Sequence, residues 1–257
     1  MSFEKYIDNP SGGSAFTNRG MYKDMYKRKF NAVLLREQGK VVYKVYKDND
    51  PADSYYIHLK IPSEVIENFY YDVIIRLFTT LSSKKSATSL REYEVQFYSN
   101  DPAFVYTFAH SFYKNKLFIP DLEPKMSKAA LNNIAKQRNP KDDVWYVKSL
   151  FFAYLAMEKY NLFNRIILDR EAAKYSKQTL INSVEHADKK VRARREAQEK
   201  LDAEKRKEKE KQKPRNTDVS TNTTRHANNS SSIKTVKTVG TTKSSKRTKV
   251  TSMRKKS

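Results

Sequence analysis

From Lys40 to Ser99 apolar and polar residues alternate with a period of two, the spacing of a strand buried on one face. In Lys40–Lys47, Val41, Tyr43 and Val45 alternate with Val42, Lys44 and Tyr46. Asp48–Asp53 has turn chemistry, and a second run, Ser54–Ile61, follows it. Phe69–Thr80 sets Tyr71, Val73, Ile75 and Leu77 against Asp72 and Arg76. After the polar loop Ser82–Ser86, Leu90–Ser99 sets Tyr93, Val95 and Phe97 against Glu92, Glu94 and Gln96. These four runs predict a small antiparallel meander sheet with one face on a core and the other wet. Ser63–Tyr70 also fits a short helix, which leaves the start of the third strand open.

On either side of the meander the period is helical. Gly20–Gln38 carries Met21, Met25, Phe30, Val33 and Leu34 roughly at helical spacing, with Lys23, Lys27, Arg28 and Lys29 on the other face and Gly39 placed to stop it. Asn100-Asp101-Pro102 is a helix start, followed by Phe104, Phe108 and Phe112 at i, i+4 and i+8. Leu117–Pro120 reads as extended, and Ser127 as the cap of a helix Lys128–Lys136. Asn139-Pro140 breaks the chain. Asp142 and Asp143 then open a helix to about Tyr160 whose residues Trp145, Leu150, Phe151 and Leu155 predict the most buried element.

Leu168–Lys213 reads as one long polar helix with acid–base pairs four apart, such as Glu196–Lys200 and Asp202–Arg206. Its seam Leu180, Val184, Ala187, Val191 is heptad-like but is interrupted by Arg194 and Gln198, about two heptads and too few for a coiled coil. The fold class is therefore α+β: an N-terminal helix, a meander sheet, a helical C-terminal half, then a long charged helix. Residues 1–19, with Asn9-Pro10-Ser11-Gly12-Gly13-Ser14, read as a flexible arm, 20–167 as the body, 168–213 as the charged helix and 214–257 as a disordered basic tail.

Composition draws the last boundary. All 31 aromatic residues precede residue 176, so the remaining chain has stopped supplying large rings to a core. Residues 1–187 carry 28 Lys/Arg against 21 Asp/Glu, whereas 188–257 carry 23 against 8. From Pro214 onward there are eleven Lys/Arg and the single acid Asp218 in a background of Ser, Thr and Asn. Such a segment cannot bury enough apolar surface to offset its conformational entropy. Lys234, Lys237, Lys243, Lys246, Arg247, Lys249, Arg254, Lys255 and Lys256 are spaced by Thr, Ser and Val without aromatics. They suit phosphate backbones, bound without sequence preference and in a salt-sensitive way. Ser244–Lys249 also has the look of a nuclear localisation patch.

Enzymatic chemistry leaves little trace. With no Cys there are no disulfides, thiolate metal sites or Cys nucleophiles. His58, His110, His186 and His226 are scattered, none at metal-ligand spacing, and no cofactor is indicated. Five glycines do not assemble a phosphate loop. Pro120–Lys125 contains the letters of a metal-dependent nuclease, Asp121 and Glu123, but packed into one Pro-broken loop. Glu92 and Glu94 read as the wet side of a strand. Met1–Asp8 lacks signal-peptide features, Ser2 rules out myristoylation, and the longest apolar stretch, Leu150–Met157, is too short to span a bilayer. The expectation is a soluble protein of a host cytoplasm or of a particle assembled there.

The abundant Tyr, 17 against 13 Phe, fits core packing first, and then a subunit interface in preference to a base-stacking surface. The stretches Phe97–His110, Leu117–Leu122, Lys125–Leu131 and Arg138–Lys141 resemble uncharacterised virion-associated structural proteins of tailed bacteriophages, over roughly residues 20–165. The resemblance implies a non-enzymatic particle component near a packaged genome. Together these readings predict a homo-oligomeric structural protein whose basic tail holds nucleic acid. A protein–protein adaptor docking an acidic partner, and an Mg²⁺-dependent nuclease using Asp121 and Glu123, are the alternatives.

Overall fold

A computed structural model describes residues 1–8, 19–48, 54–79, 90–144, 147–172 and 176–211. Four strands form one sheet in the order β1-β2-β3-β4: β1 Val42–Asp48, β2 Ser54–Pro62, β3 Tyr70–Phe78 and β4 Glu94–Ser99. Every neighbouring pair is antiparallel, with Ile57 opposite Val45 and Ile75, and Ile75 opposite Phe97. The meander read from the period-two alternation is thus present. Ser63–Tyr70 holds bends and turns, not a helix.

The predicted wet face is not there. Along β2 and β3 almost every residue is buried, on both sides of the pleat. The helices explain it. One face, carrying Val45, Ile57, Val73, Ile75 and Phe97, packs under α1 (Phe3–Asp8), α3 (Ala109–Lys114) and α5 (Lys148–Lys159). The opposite face, carrying Tyr56, Asp72, Arg76 and Tyr98, meets a 3₁₀ turn Pro120–Lys125, α7 (Lys177–Ser183) and the chain at Glu185. Polar residues tolerate that cover because they find partners: Arg76 bonds Gln96 at 3.1 Å and lies over the Tyr56 and Phe78 rings.

Both sheet edges are occupied. Beside β4 the segment Leu117–Ile119 adds a short parallel bridge, with Phe97 N–H donating to Leu117 O at 2.7 Å and Ile119 N–H to Phe97 O at 3.2 Å. At the other edge α6 (Arg165–Ala172) and α7 lie along β1, and Lys47 pairs Asp169 at 3.0 Å. Covering a sheet edge with helices and short bridges removes a template for unwanted strand pairing.

The N-terminal arm is a correction. Residues Phe3–Asp8 form α1, with Phe3, Tyr6 and Ile7 in the core. The Phe3 ring lies 5.2 Å from Phe97 and 5.2 Å from Tyr154, centroid to centroid, so the arm closes the aromatic centre of the body. The linker-like residues 9–18 lie outside the described residues. Helix α2 (Arg19–Arg36) ends as predicted: Gly39, at φ +76°, returns its N–H to Leu34 O in a left-handed cap.

Four more helical readings change. Phe104–Phe108 is a π-helical turn leading into α3, so its extra residue rotates Phe108 off the stripe, while Phe104 and Phe112 meet at 5.1 Å. The helix after Ser127 is only Lys128–Asn132, without a side-chain bond from Ser127. α5 begins at Lys148, later than Asp142, and Trp145 lies outside the described residues. The predicted single helix 168–213 is three: α6, α7 and α8 (Ala187–Lys211). Its seam is real but faces inward, with Leu180, Val184 and Ala187 in the protein's own core.

Replacing Phe3 by Ala removes a fully buried ring and is expected to cost about 3–5 kcal/mol of stability. Urea unfolding checks it. A change below about 0.5 kcal/mol, the range of ordinary surface substitutions, would restore the flexible-arm reading.

Candidate functional site

The nine tail cations, Lys234, Lys237, Lys243, Lys246, Arg247, Lys249, Arg254, Lys255 and Lys256, lie outside the described residues, as does His226. What the structure describes is the helix that leads to them. α8 is packed at its start, where Asp188 N–H donates to His186 Nδ1 at 3.3 Å and Lys190 sits 4.4 Å over the Phe69 ring. Past Val191 it turns to solvent, and Arg195–Glu199 (3.0 Å) and Gln198–Asp202 (3.0 Å) are contacts along its own surface. Ala187–Lys211 holds 11 Lys/Arg and 7 Asp/Glu.

The nuclease residues do not converge. Asp121 Oδ2 accepts the Tyr56 hydroxyl at 2.8 Å, and its Oδ1 pairs Lys177 at 2.9 Å, which in turn pairs Asp48 at 2.8 Å. Burial works to raise the Asp121 pKa, but Lys177 and Tyr56 hold it below the usual carboxylate range. Burial and the Asp121 contact push the Tyr56 phenol up to about 12. Glu123 instead faces Tyr113, whose hydroxyl lies 3.4 Å away. The carboxylate named for metal binding therefore ties helix α7 to the sheet. Among the described residues no cluster of three His, Asp or Glu is placed to hold a metal ion.

His58 belongs to a buried polar knot. Asp72, only 1% exposed, accepts His58 Nε2 at 2.7 Å and the Lys60 ammonium on Oδ1, and Asn100 Nδ2 at 2.8 Å on Oδ2. Asn100 Oδ1 in turn accepts Asp72 N–H at 2.8 Å, which locks the end of β4 to β3. Burial opposes the Asp72 charge, yet His58 and Lys60 outweigh it and hold the carboxyl far below its ordinary pKa. His110 has the analogous role at the surface, with Nδ1 2.8 Å from Asp142, which Lys114 also approaches at 3.2 Å. These histidines orient structure.

One cleft combines exposure, charge and an aromatic ring. It encloses about 460 Å³ between the turn after β2 (Ser63, Glu64), the start of the π-helical turn (Tyr106), Arg138, the first residues of α5 (Lys148, Ser149) and Arg194 of α8. Arg194 donates Nε–H to the Tyr71 hydroxyl at 3.2 Å, which explains why an arginine interrupts the apolar seam of that helix. Lys148 pairs Glu64 at 2.8 Å, as does Lys29, also at 2.8 Å. Burial favours the neutral Glu64 acid, but these two ammonium groups keep its pKa below the usual range. Asp101 Oδ1 caps the Ala103 N–H at 3.1 Å. Sequence reasoning missed this site because its residues come from five separate segments. Only Arg194, an odd residue in a seam, left a local trace.

Most described tyrosines resolve into packing: Tyr6, Tyr46, Tyr55, Tyr56, Tyr71, Tyr93 and Tyr98 are buried, and Tyr26, Tyr43, Tyr154 and Tyr160 pack against the core. Tyr106 is 53% exposed. Among the described residues no helix is long and apolar enough to cross a membrane. No protein-family model, curated protein or solved structure matches the chain.

Asp72→Ala strands the buried His58 and removes the partner of the part-exposed Lys60, and is expected to cost about 3–5 kcal/mol. Because the folded pKa of Asp72 is depressed, its stabilisation is complete above about pH 4, the ordinary Asp value, and fades as the pH falls. Thermal unfolding from pH 7 to pH 2 should therefore show the wild type and variant converging in acid. A constant gap would overturn the ionic account of this knot.

Proposed function

We propose that the protein is a non-enzymatic assembly protein that holds nucleic acid electrostatically through the basic segment following its folded body. The observation that carries this reading is where the unspent positive charge lies. Many body cations are committed to internal pairs, among them Lys23 with Asp8, Lys47 with Asp169, Arg91 with Glu158 and Lys177 with Asp48 and Asp121. On α8, by contrast, Lys200, Lys205, Arg206, Lys207, Lys209 and Lys211 make no ion pair or hydrogen bond among the described residues. They run directly into a segment with eleven Lys/Arg and one acid.

A cationic, aromatic-free segment neutralises phosphates and releases their counterions, so the affinity depends on salt and hardly on sequence. The resemblance to phage virion-associated proteins suits such a role beside a packaged genome. In this reading the body packs against copies of itself or another structural protein, and the tail meets the polyanion.

Binding to a random-sequence duplex, titrated with salt, tests the proposal on the full chain and on a chain ending at Lys213. The full chain should show a steep slope, about 0.9 log units per phosphate neutralised, that flattens by several units on truncation. Undiminished binding by the truncated chain at about 150 mM salt would overturn the assignment to the tail. Negligible binding by both would make the protein an adaptor for an acidic protein surface.

A further inference from the structure

The cleft between the β2 turn, the π-helical turn, α5 and α8 is not explained by packing. Its lining mixes polar and apolar residues, its volume of about 460 Å³ falls within the usual range for small-ligand sites, and three cations from three segments line it. Two acids also line it, but both are already spent. Glu64 sits between Lys29 and Lys148, and Asp101 caps the following helical turn. Arg138 makes no side-chain hydrogen bond or ion pair among the described residues. Arg194 uses Nε on Tyr71, and its terminal nitrogens have no partner there. Arg138 and the end of Arg194 therefore present donors and positive charge that the protein does not itself consume, whereas Lys148 is already paired with Glu64.

Tyr106 gives the ligand its second property. Phe104 and Val105, its neighbours in the π-helical turn, are buried, while Tyr106 stands more than half exposed at the cleft wall. It takes part in no ring pair or hydrogen bond among the described residues. A bare anion would gain nothing from that ring. A ligand with phosphates and a flat heterocycle uses both features, since base–aromatic stacking and phosphate contacts are the two elements of single-strand recognition. A duplex keeps its bases stacked inside and offers Tyr106 no free face.

We propose that this cleft binds single-stranded nucleic acid, one base stacking on Tyr106 while Arg138 and Arg194 contact the phosphates. This extends the nucleic-acid reading of the tail to a second, structured site on the body, and the two fail independently. The tail takes any polyanion, whereas the cleft distinguishes a splayed strand from a paired one. The ligand unit is a nucleotide, whether from a strand or free in solution, and strand length separates those sources.

The test is fluorescence anisotropy with full-length protein at about 150 mM salt. The probes are a labelled oligothymidylate of six nucleotides, thymidine monophosphate as competitor, and a long labelled duplex. Tyr106→Ala should weaken the hexamer about 5- to 150-fold, the span of one lost base stack. Arg138→Glu should weaken it too and lower its salt slope by about one. Lys159→Glu, a charge reversal at an exposed position about 16 Å along α5 from Lys148, should leave it unchanged. All three variants should keep the salt-sensitive binding of the long duplex. Tyr106 and Arg138 are exposed, so unchanged unfolding midpoints will confirm an intact fold.

Competition by thymidine monophosphate as effective as by the unlabelled hexamer would overturn the single-strand assignment in favour of a free nucleotide. Hexamer binding indifferent to both cleft variants would remove the site and leave the tail reading intact. Cleft-dependent hexamer binding without any duplex binding would do the reverse.

Discussion

Two-sided burial of the central strands is the constraint on which the architecture depends. A four-stranded meander has two faces and two edges, and β2 and β3 bury residues on both faces. One stretch of chain cannot cover all of these surfaces. The first face is covered by α1 from the extreme N-terminus together with α3 and α5, and the second by the Pro120–Lys125 turn and α7. Residues Leu168–Ala187 are therefore part of the body, and α8 leaves it only after α7 and the chain at Val184–Ala187 have been anchored on the sheet.

That closure dictates where charge can sit. A sheet face buried under helices admits an acid only if its partners come with it, because an unpaired buried charge costs several kcal/mol. Asp72 brings His58, Lys60 and Asn100, and Asp121 brings Tyr56 and Lys177. The acids of the body are thereby used for holding elements together, and they absorb much of its cationic excess. Arg138 at the cleft and Lys200, Lys205, Arg206, Lys207, Lys209 and Lys211 along the exposed length of α8 are among the cations left without an ion pair among the described residues. Function is read from that remainder.

The sequence was legible wherever one property of a segment decided its structure. Period-two alternation gave four strands in the right order, and Gly39 gave the end of α2, because each depends on local backbone geometry. It was illegible wherever a distant partner decided. Asp72 and Arg76 look like the wet side of a strand until His58, Asn100 and Gln96 are seen beside them. Phe3, Tyr6 and Ile7 are too few to announce a core helix, yet Phe97 and Tyr154 complete them. The π turn that swings Phe108 aside and leaves Tyr106 in solvent follows from packing and has no compositional signature. The cleft, built from single residues of five segments, was illegible for the same reason.

Arg194 joins these themes. It follows Val191 on α8 at the point where the helix leaves the body, and its bond to Tyr71 fixes that exit to β3. The same side chain lines the cleft, so the helix that contributes to the structured site is also the one that precedes the basic segment in the sequence. From Arg194 to Lys211 the helix rises about 25 Å at 1.5 Å per residue. Two weak sites joined by a stiff spacer act on a polymer as one, because capture by the first raises the effective concentration at the second. On this reading the tail supplies indiscriminate, fast capture of a phosphate backbone, and the cleft holds those stretches whose bases are free. Along its described length α8 is stiffened by its own pairs four residues apart, Arg195 with Glu199 and Gln198 with Asp202.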